Sequence, residues 1–202
     1  MHISEGVLSP GALATGWAVA SAGIAVGLRG MDHRRIVRAS LLSSAFFLAS
    51  LVNVRIGPAS AHLSLIAPVG IVLGWAAFPA VMAALLLQAL LLGFGGLTTL
   101  GPNVAVMGGA ATIVGLLSAR AIRTRGSRAA AITASVAGAC GVLVGAMGVA
   151  AFLWISDRGF LEAAKILLVA HVPVAIVEAI VTASLIVWLR RAAPELLSSE
   201  ER

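Results

Sequence analysis

The chain has 202 residues, of which 60% are hydrophobic and only 11% charged. A soluble domain carries about a quarter charged residues, so most of this surface must face lipid, in keeping with a mean hydropathy of +1.05. The net charge of +6 does not indicate nucleic acid, because aromatic residues make up 5%, tyrosine is absent and the basic residues sit in short hydrophilic breaks.

The residues ahead of the first apolar run, Met1-His2-Ile3-Ser4-Glu5, carry no basic side chain. The n-region of a signal peptide is therefore missing, and the first span, 8–28, is expected to be an uncleaved helix behind an outward-facing segment, 1–7. Arg29, Arg34, Arg35 and Arg38 follow, with His33 as a solvated loop residue, and then a second span over 36–54. From Ile56 to Ala119 there is no Asp, Glu, Lys or Arg. Those 64 residues would make roughly 96 Å of helix against a bilayer core of about 30 Å, or about three crossings. They are read as spans 62–76, 77–95 and 104–119, and Pro68 makes the first of these a kinked or partly inserted segment. Arg120, Arg123, Arg125 and Arg128 form the next break. Spans 129–154 and 163–189 and a tail, 190–202, complete the chain. Gly23 with Gly27, and Gly141 with Gly145, have the four-residue spacing of close helix packing. Cys140 lies in an apolar run and has no intrachain partner for a disulfide.

The basic breaks fix the sidedness. Placing the arginines of the first break in the cytoplasm puts eleven basic residues inside and leaves Arg55, Arg158 and Lys165 outside, a strong positive-inside bias. Arg55 and Arg120 then lie on opposite sides, so an odd number of crossings separates them, and length selects three. The expectation is an all-α membrane protein of one domain, 1–202, forming a bundle of seven transmembrane helices with six as the alternative. Its N-terminus lies outside and its C-terminus in the cytoplasm.

There is no P-loop, and Lys165 is the only lysine, so Walker-type ATP hydrolysis has no residues to run on. An H-E-x-x-H helix and a G-x-S-x-G elbow are also absent. His2 carries the most chemistry. In an amino-terminal X-His unit the terminal amine, the His2 amide and imidazole Nδ1 can close fused chelate rings, and nitrogen donors in one plane suit Ni(II) or Cu(II). Its other reading is a surface residue without a role. His62, in Gly57-Pro58-Ala59-Ser60-Ala61-His62, falls in a turn-forming loop on the same side as His2 and could supply a fourth nitrogen; its other reading is a helix-capping or interfacial histidine. His171 and Glu178, seven apart on one face of the last helix, are costly intramembrane groups, read as a hydrogen-bond network or gate below the site. Gln88, Asn53 and Asn103 read as interhelical hydrogen-bonding groups. Asn103 also follows a Gly/Thr-rich break, 93–102, of the kind that lines a site as a re-entrant loop.

Met1 to Leu8, the Gly57–Leu63 loop with its histidine, Gly95-Gly96-Leu97-Thr98-Thr99-Leu100-Gly101 ahead of Asn103, and His171-Val-Pro-Val-Ala-Ile-Val-Glu178 together resemble the CbiM/NikM family. These are substrate-specific (S) components of energy-coupling factor (ECF) transporters for cobalt and nickel. The resemblance covers essentially the whole chain. It implies a seven-helix protein of the bacterial cytoplasmic (inner) membrane, linked to cobalamin biosynthesis, which captures Co(II) or Ni(II) as its transported substrate. Carried over by motif, the square-planar ligands are Met1, His2 and His62. It also implies a transmembrane coupling subunit of CbiQ/NikQ type, a cytoplasmic ABC ATPase of CbiO/NikO type and a small accessory subunit of CbiN/NikN type. Nickel members often begin Met-His-Ile-Pro-Asp-Gly and cobalt members Met-His-Ile-Met-Glu-Gly; Ser4 fits neither, Glu5 leans towards cobalt, and Val7 replaces an aromatic residue. Two rival readings are a vitamin-specific S-component and an intramembrane hydrolase using Ser60 with His171.

Overall fold

The computed structural model describes residues 2–56 and 59–197. Helix α1 (Pro10–Leu28) starts where Ser9 accepts the Ala12 amide at 3.3 Å and proline, which needs no amide partner, occupies the first turn. Helix α2 (His33–Ala49) is capped in the same way by Asp32, which accepts from the Arg35 amide at 2.8 Å. Strands β1 (Asn53–Ile56) and β2 (Ala59–His62) form an antiparallel hairpin with Asn53 opposite His62. Then come α3 (Ile66–Leu73), a 3-10 turn, α4 (Ala77–Leu87) and a π-turn over Gln88–Leu92. Helices α5 (Leu100–Thr124), α6 (Ser127–Ser156) and α7 (Leu161–Ala192) complete the bundle, followed by a 3-10 turn, Pro194–Leu197.

Among the described residues five candidate segments are long and apolar enough to cross a membrane by length and composition: Pro10–Leu28, Ile66–Leu92 (which joins α3 and α4 across Gly74), Leu100–Thr124, Ser127–Ser156 and Arg158–Ala192. The structure is therefore an all-helical multi-pass bundle with one small β-hairpin, and two of the expected spans change character. Helix α2 ends at Ala49, short of the expected 36–54, and the chain then turns into the hairpin. Span 62–76 shrinks to the eight residues of α3, about 12 Å of helix, which cannot traverse a core of about 30 Å. Gly74 is the physical reason: with φ +55° and ψ −124° it adopts a backbone conformation that L side chains disfavour, and α3 stops there.

The contacts give the helix directions. Leu65 touches Glu178 in the middle of α7, while Val72 lines a crevice with Leu185 and Leu189, so α3 runs alongside the second half of α7. After Gly74 the chain doubles back. Trp75 and Phe78 pack on Gly27 and Gly23, which sets α4 antiparallel to α1 and realises the close packing expected of that glycine pair. Gly16 meets Pro102 in the first halves of α1 and α5, and further along Gly23 and Gly108 both pack on Phe78, so α1 and α5 run the same way. The tightest crossing joins α3 to α5: a methyl group on Gly70 would run into the Ala111 carbonyl, and one on Gly115 into the Gly70 carbonyl. Phe46, Met107 and Val104 fill the interior, whereas Leu41, Leu91, Leu117 and Val169 stay on the outside, as a lipid-facing surface requires.

Candidate metal centre

The site lies at the end of the bundle where α1 and α5 begin and α4 ends. Ile3 is clamped to α5 by a reciprocal amide pair: its N–H donates to Asn103 Oδ1 at 2.9 Å, and Asn103 Nδ2 donates to its carbonyl at 3.1 Å. Thr99 Oγ1 donates to the same carbonyl at 2.9 Å. Two residues on, the Glu5 carboxylate accepts from the Thr98 amide at 3.0 Å and from the Thr98 hydroxyl. These bonds hold the carboxyl of Glu5 below its ordinary pKa. The strap fits because of Gly96, where any side chain would strike Glu5. Asn103 is 2% exposed and belongs to the first turn of α5, which begins four residues before the expected span 104–119 and takes in the end of the Gly/Thr-rich break. The Trp17 indole N–H donates to the Thr98 carbonyl at 3.0 Å, tying α1 to the same loop.

Held this way, the His2 ring stacks on His62 with centroids 4.8 Å apart and planes 16° from parallel. Phe94 covers it from another side at 5.8 Å. The Phe94 position follows from the π-turn: its amide donates to the Gln88 carbonyl at 3.2 Å, and Gly93 takes a left-handed φ of +66°.

His62 ends β2 and arrives from the opposite side. Its Nδ1 donates to the Leu63 carbonyl at 3.0 Å, since a carbonyl can only accept, and this leaves Nε2 as the lone-pair nitrogen. That Nε2 is buried with no hydrogen-bond partner among the described residues, as are those of His2 and His171. His171 repeats the arrangement, with Nδ1 donating to the Leu167 carbonyl at 2.7 Å. The chain after His62 is anchored by Glu178, whose Oε1 accepts from the Ser64 hydroxyl and the Leu65 amide, both at 2.9 Å, and from the Ser64 amide. Leu65 sits there at φ +50°, a conformation rare for a non-glycine residue, and the carboxylate faces the start of α3, where helix amides lack partners.

Burial, the positive charge at the start of the chain and the facing His62 drive the His2 pKa well below its usual value. Burial and the same charge bring His62 down to about 3. Both rings are neutral at physiological pH, the form a metal ion needs. Among the described residues, no three His, Cys, Asp or Glu side chains are placed to hold a metal by themselves.

Of the residues singled out in the sequence, His2, His62 and Asn103 come together at one point. His171 contributes to the potential felt by His62, and Glu178 holds Ser64, two residues beyond it. Met1 lies outside the described residues, as do the side chains of Asn53 and Ser60. Gln88 is fully buried, and neither side-chain amide atom has a partner, so the expected interhelical hydrogen bond is not formed. Phe94, Thr98, Thr99 and Ser64 were not anticipated as individual residues. The Gly/Thr-rich break carried a signal for the first three, whereas Ser64 had none.

The family model described as "Cobalt uptake substrate-specific transmembrane region" matches residues 2–196. A Haemophilus influenzae protein whose name places it in metal transport is 38% identical over 204 residues, covering 100% of this chain and 98% of that one. The fused nickel transport protein NikMN of Rhodobacter capsulatus is 32% identical over 98% of this chain, which spans 64% of that longer protein. A solved transition metal transporter superposes with a TM-score of 0.79 at 26% identity, over 95% of this chain and 93% of that one. With a family model spanning nearly the whole sequence, a bundle that superposes on a metal transporter, and two histidines brought ring to ring, the chain belongs to the CbiM family of cobalt-uptake substrate-specific transmembrane proteins.

Proposed function

We propose that this protein is the metal-capturing component of an ATP-driven importer of divalent cobalt or nickel, with the ion as substrate bound between the first two residues and His62. The observation that carries this reading is the stacked His2–His62 pair, in which both imidazoles are neutral and His62 presents a buried Nε2 with no partner among the described residues. His62 Nε2 is the donor left by its Nδ1–H bond to Leu63, the way a metal-binding histidine is commonly oriented. His2 would use Nδ1, its amide and the Met1 amine, so the remaining nitrogens come from the backbone and not from a third side chain. Nitrogen donors in one plane suit Ni(II) and are also compatible with low-spin Co(II), and capture releases the amide and amine protons.

The sidedness of this reading follows from charge. The arginine-rich breaks 29–38, 120–128 and 190–191 lie at the bundle end opposite the site, and the positive-inside rule assigns that end to the cytoplasm. The N-terminus and the site then face outward in a seven-segment arrangement with α3 reaching only part of the way. Asn103 positions the first residues, and Glu178 with His171 positions His62. Energy would come from an ABC-type ATPase through a membrane coupling subunit, with a small accessory subunit as a further partner, because the chain carries no phosphate-binding loop of its own.

Metal analysis of the purified protein after loading with Co(II) or Ni(II) tests the site. About one ion per chain is expected, with loss on adding one residue before Met1, since that displaces the amine from the chelate. Undiminished metal in the extended form would refute the proposed ligand set.

A further inference from the structure

At the opposite end of the bundle, two cavities share a wall. One, of about 230 Å³, lies where α1, α2 and the Gly74 turn meet, and Arg29, Arg35 and Arg38 line it together with Trp75. The other, of about 240 Å³, is an apolar crevice between α2, α3 and α7 whose lining includes Leu41, Val69, Leu185 and Trp188. Arg38 and Val72 belong to both. Among the described residues no carboxylate lines the basic cavity, and Asp32, three residues before Arg35, is engaged in capping the Arg35 amide. Arg35 and Arg38 are half-buried beside it.

We infer that these cavities form one binding site for an anionic phospholipid, its phosphate between Arg29 and Arg35 and one acyl chain along the crevice to Trp188. The pairing of charge and apolarity commits the site to an amphiphile. Neither a water-soluble anion nor a neutral lipid uses both halves, whereas basic pockets between helices at the cytoplasmic end of a bundle match anionic headgroups. Trp188 is 59% exposed at the lipid-facing edge of the crevice, near the charged end of α7 where Arg190 and Arg191 lie, as interfacial tryptophans are. The lipid would wedge α2 and α7 against the turn at which α3 gives way to α4, so occupancy should stabilise that reversal. This inference is independent of the metal site.

The test uses the full chain in mixed-lipid nanodiscs and in detergent, with native mass spectrometry to count bound phosphatidylglycerol against phosphatidylcholine and a melting curve for stability. One phosphatidylglycerol per chain is expected to survive gentle detergent activation in preference to phosphatidylcholine. The double variant R29Q/R35Q should lower that preference about 25-fold, at roughly fivefold per arginine. Val72→Trp, which fills the shared wall, should lower retention of both lipids, and melting in their absence identifies a variant that has merely misfolded. Glycerol 3-phosphate should neither compete with phosphatidylglycerol nor raise the melting temperature. Equal retention of the two lipids, an unchanged preference in R29Q/R35Q, or stabilisation by glycerol 3-phosphate alone would each overturn the proposal.

Discussion

His2 and His62 reach the same point through two unlike anchors. The segment carrying His2 is held by a neutral device: a carboxamide on α5 exchanges two hydrogen bonds with the N–H and C=O of one residue, Ile3, and a hydroxyl adds a third. The segment carrying His62 is held by a buried carboxylate on α7 that gathers three donors from two consecutive residues, one of them in a left-handed conformation. A neutral amide pair gives little energy but sets register. A buried carboxylate is costly to desolvate, and it leaves several unpaired donors behind if it is removed. The difference teaches that the stacked pair has an inexpensive, exchangeable side and a side on which local folding depends.

The strongest way to break the comparison is to remove the rings themselves. His2→Ala and His62→Ala are each expected to cut Co(II) or Ni(II) affinity beyond the roughly 100-fold seen for groups that only support ligands, read by metal titration; equal loss from both would make the two sides equivalent as ligands despite their unlike anchors. Next in size is Glu178→Ala, which strands the Ser64 and Leu65 amides. It should lower stability by about 3 kcal/mol in a denaturation series and metal affinity by about 10- to 100-fold. Glu178→Gln keeps one acceptor and should recover part of both, so a Gln variant as damaged as the Ala variant shows that the charge, and not the shape, holds Ser64. Asn103→Ala should cost about 1–2 kcal/mol and about tenfold in affinity. If the anchors are independent, its effect adds to that of Glu178→Ala within about 0.5 kcal/mol in a double-mutant cycle.

Acid separates the rings from their anchors. The folded His62 has its pKa lowered to about 3, so below the unfolded value of about 6.5 the unfolded chain binds the extra proton and stability falls as pH drops. At pH 5.5 the loss is about 1.4 kcal/mol from His62, and it is absent above about pH 7.5. Melting temperature against pH should flatten in His62→Gln. The smallest effect belongs to Thr98→Val, which removes one exposed hydroxyl from Glu5 and should change metal affinity less than Asn103→Ala does.

Much of this was legible in the sequence, for physical reasons that also explain what was not. Charged breaks mark helix ends because charge is excluded from lipid, so α1, α6 and α7 were found to within three residues, whereas α5 starts in the uncharged stretch and runs on through Arg120 and Arg123, beyond the expected 104–119 at both ends. The uncharged stretch from Ile56 to Ala119 offers no such marks. There Gly74 ends a half-length helix that hydropathy alone cannot tell from a full one, and only Pro68 hinted at it. The hairpin escaped notice because Asn53–Ile56 and Ala59–His62 are too short for a period-two pattern to stand out. His2, His62, His171 and Glu178 were conspicuous because so few polar groups enter the apolar chain. Phe94 lies in the Gly/Thr-rich break that marked the site, but its seating over His2 depends on a π-turn that this composition does not encode.

The bond from the Trp17 indole to the Thr98 carbonyl makes the protein an optical instrument. With no tyrosine and four tryptophans in the chain, ultraviolet emission comes from indole alone. Trp17 is the one whose N–H is tied to the loop that grips Glu5 and faces Asn103. Trp154 lies beneath the Arg158 guanidinium at 5.6 Å, while Trp75 and Trp188 belong to the arginine end. Replacing those three with phenylalanine leaves a single emitter wired to the strap. Its wavelength then follows the seating of the first residues in real time, without a label and without a partner subunit.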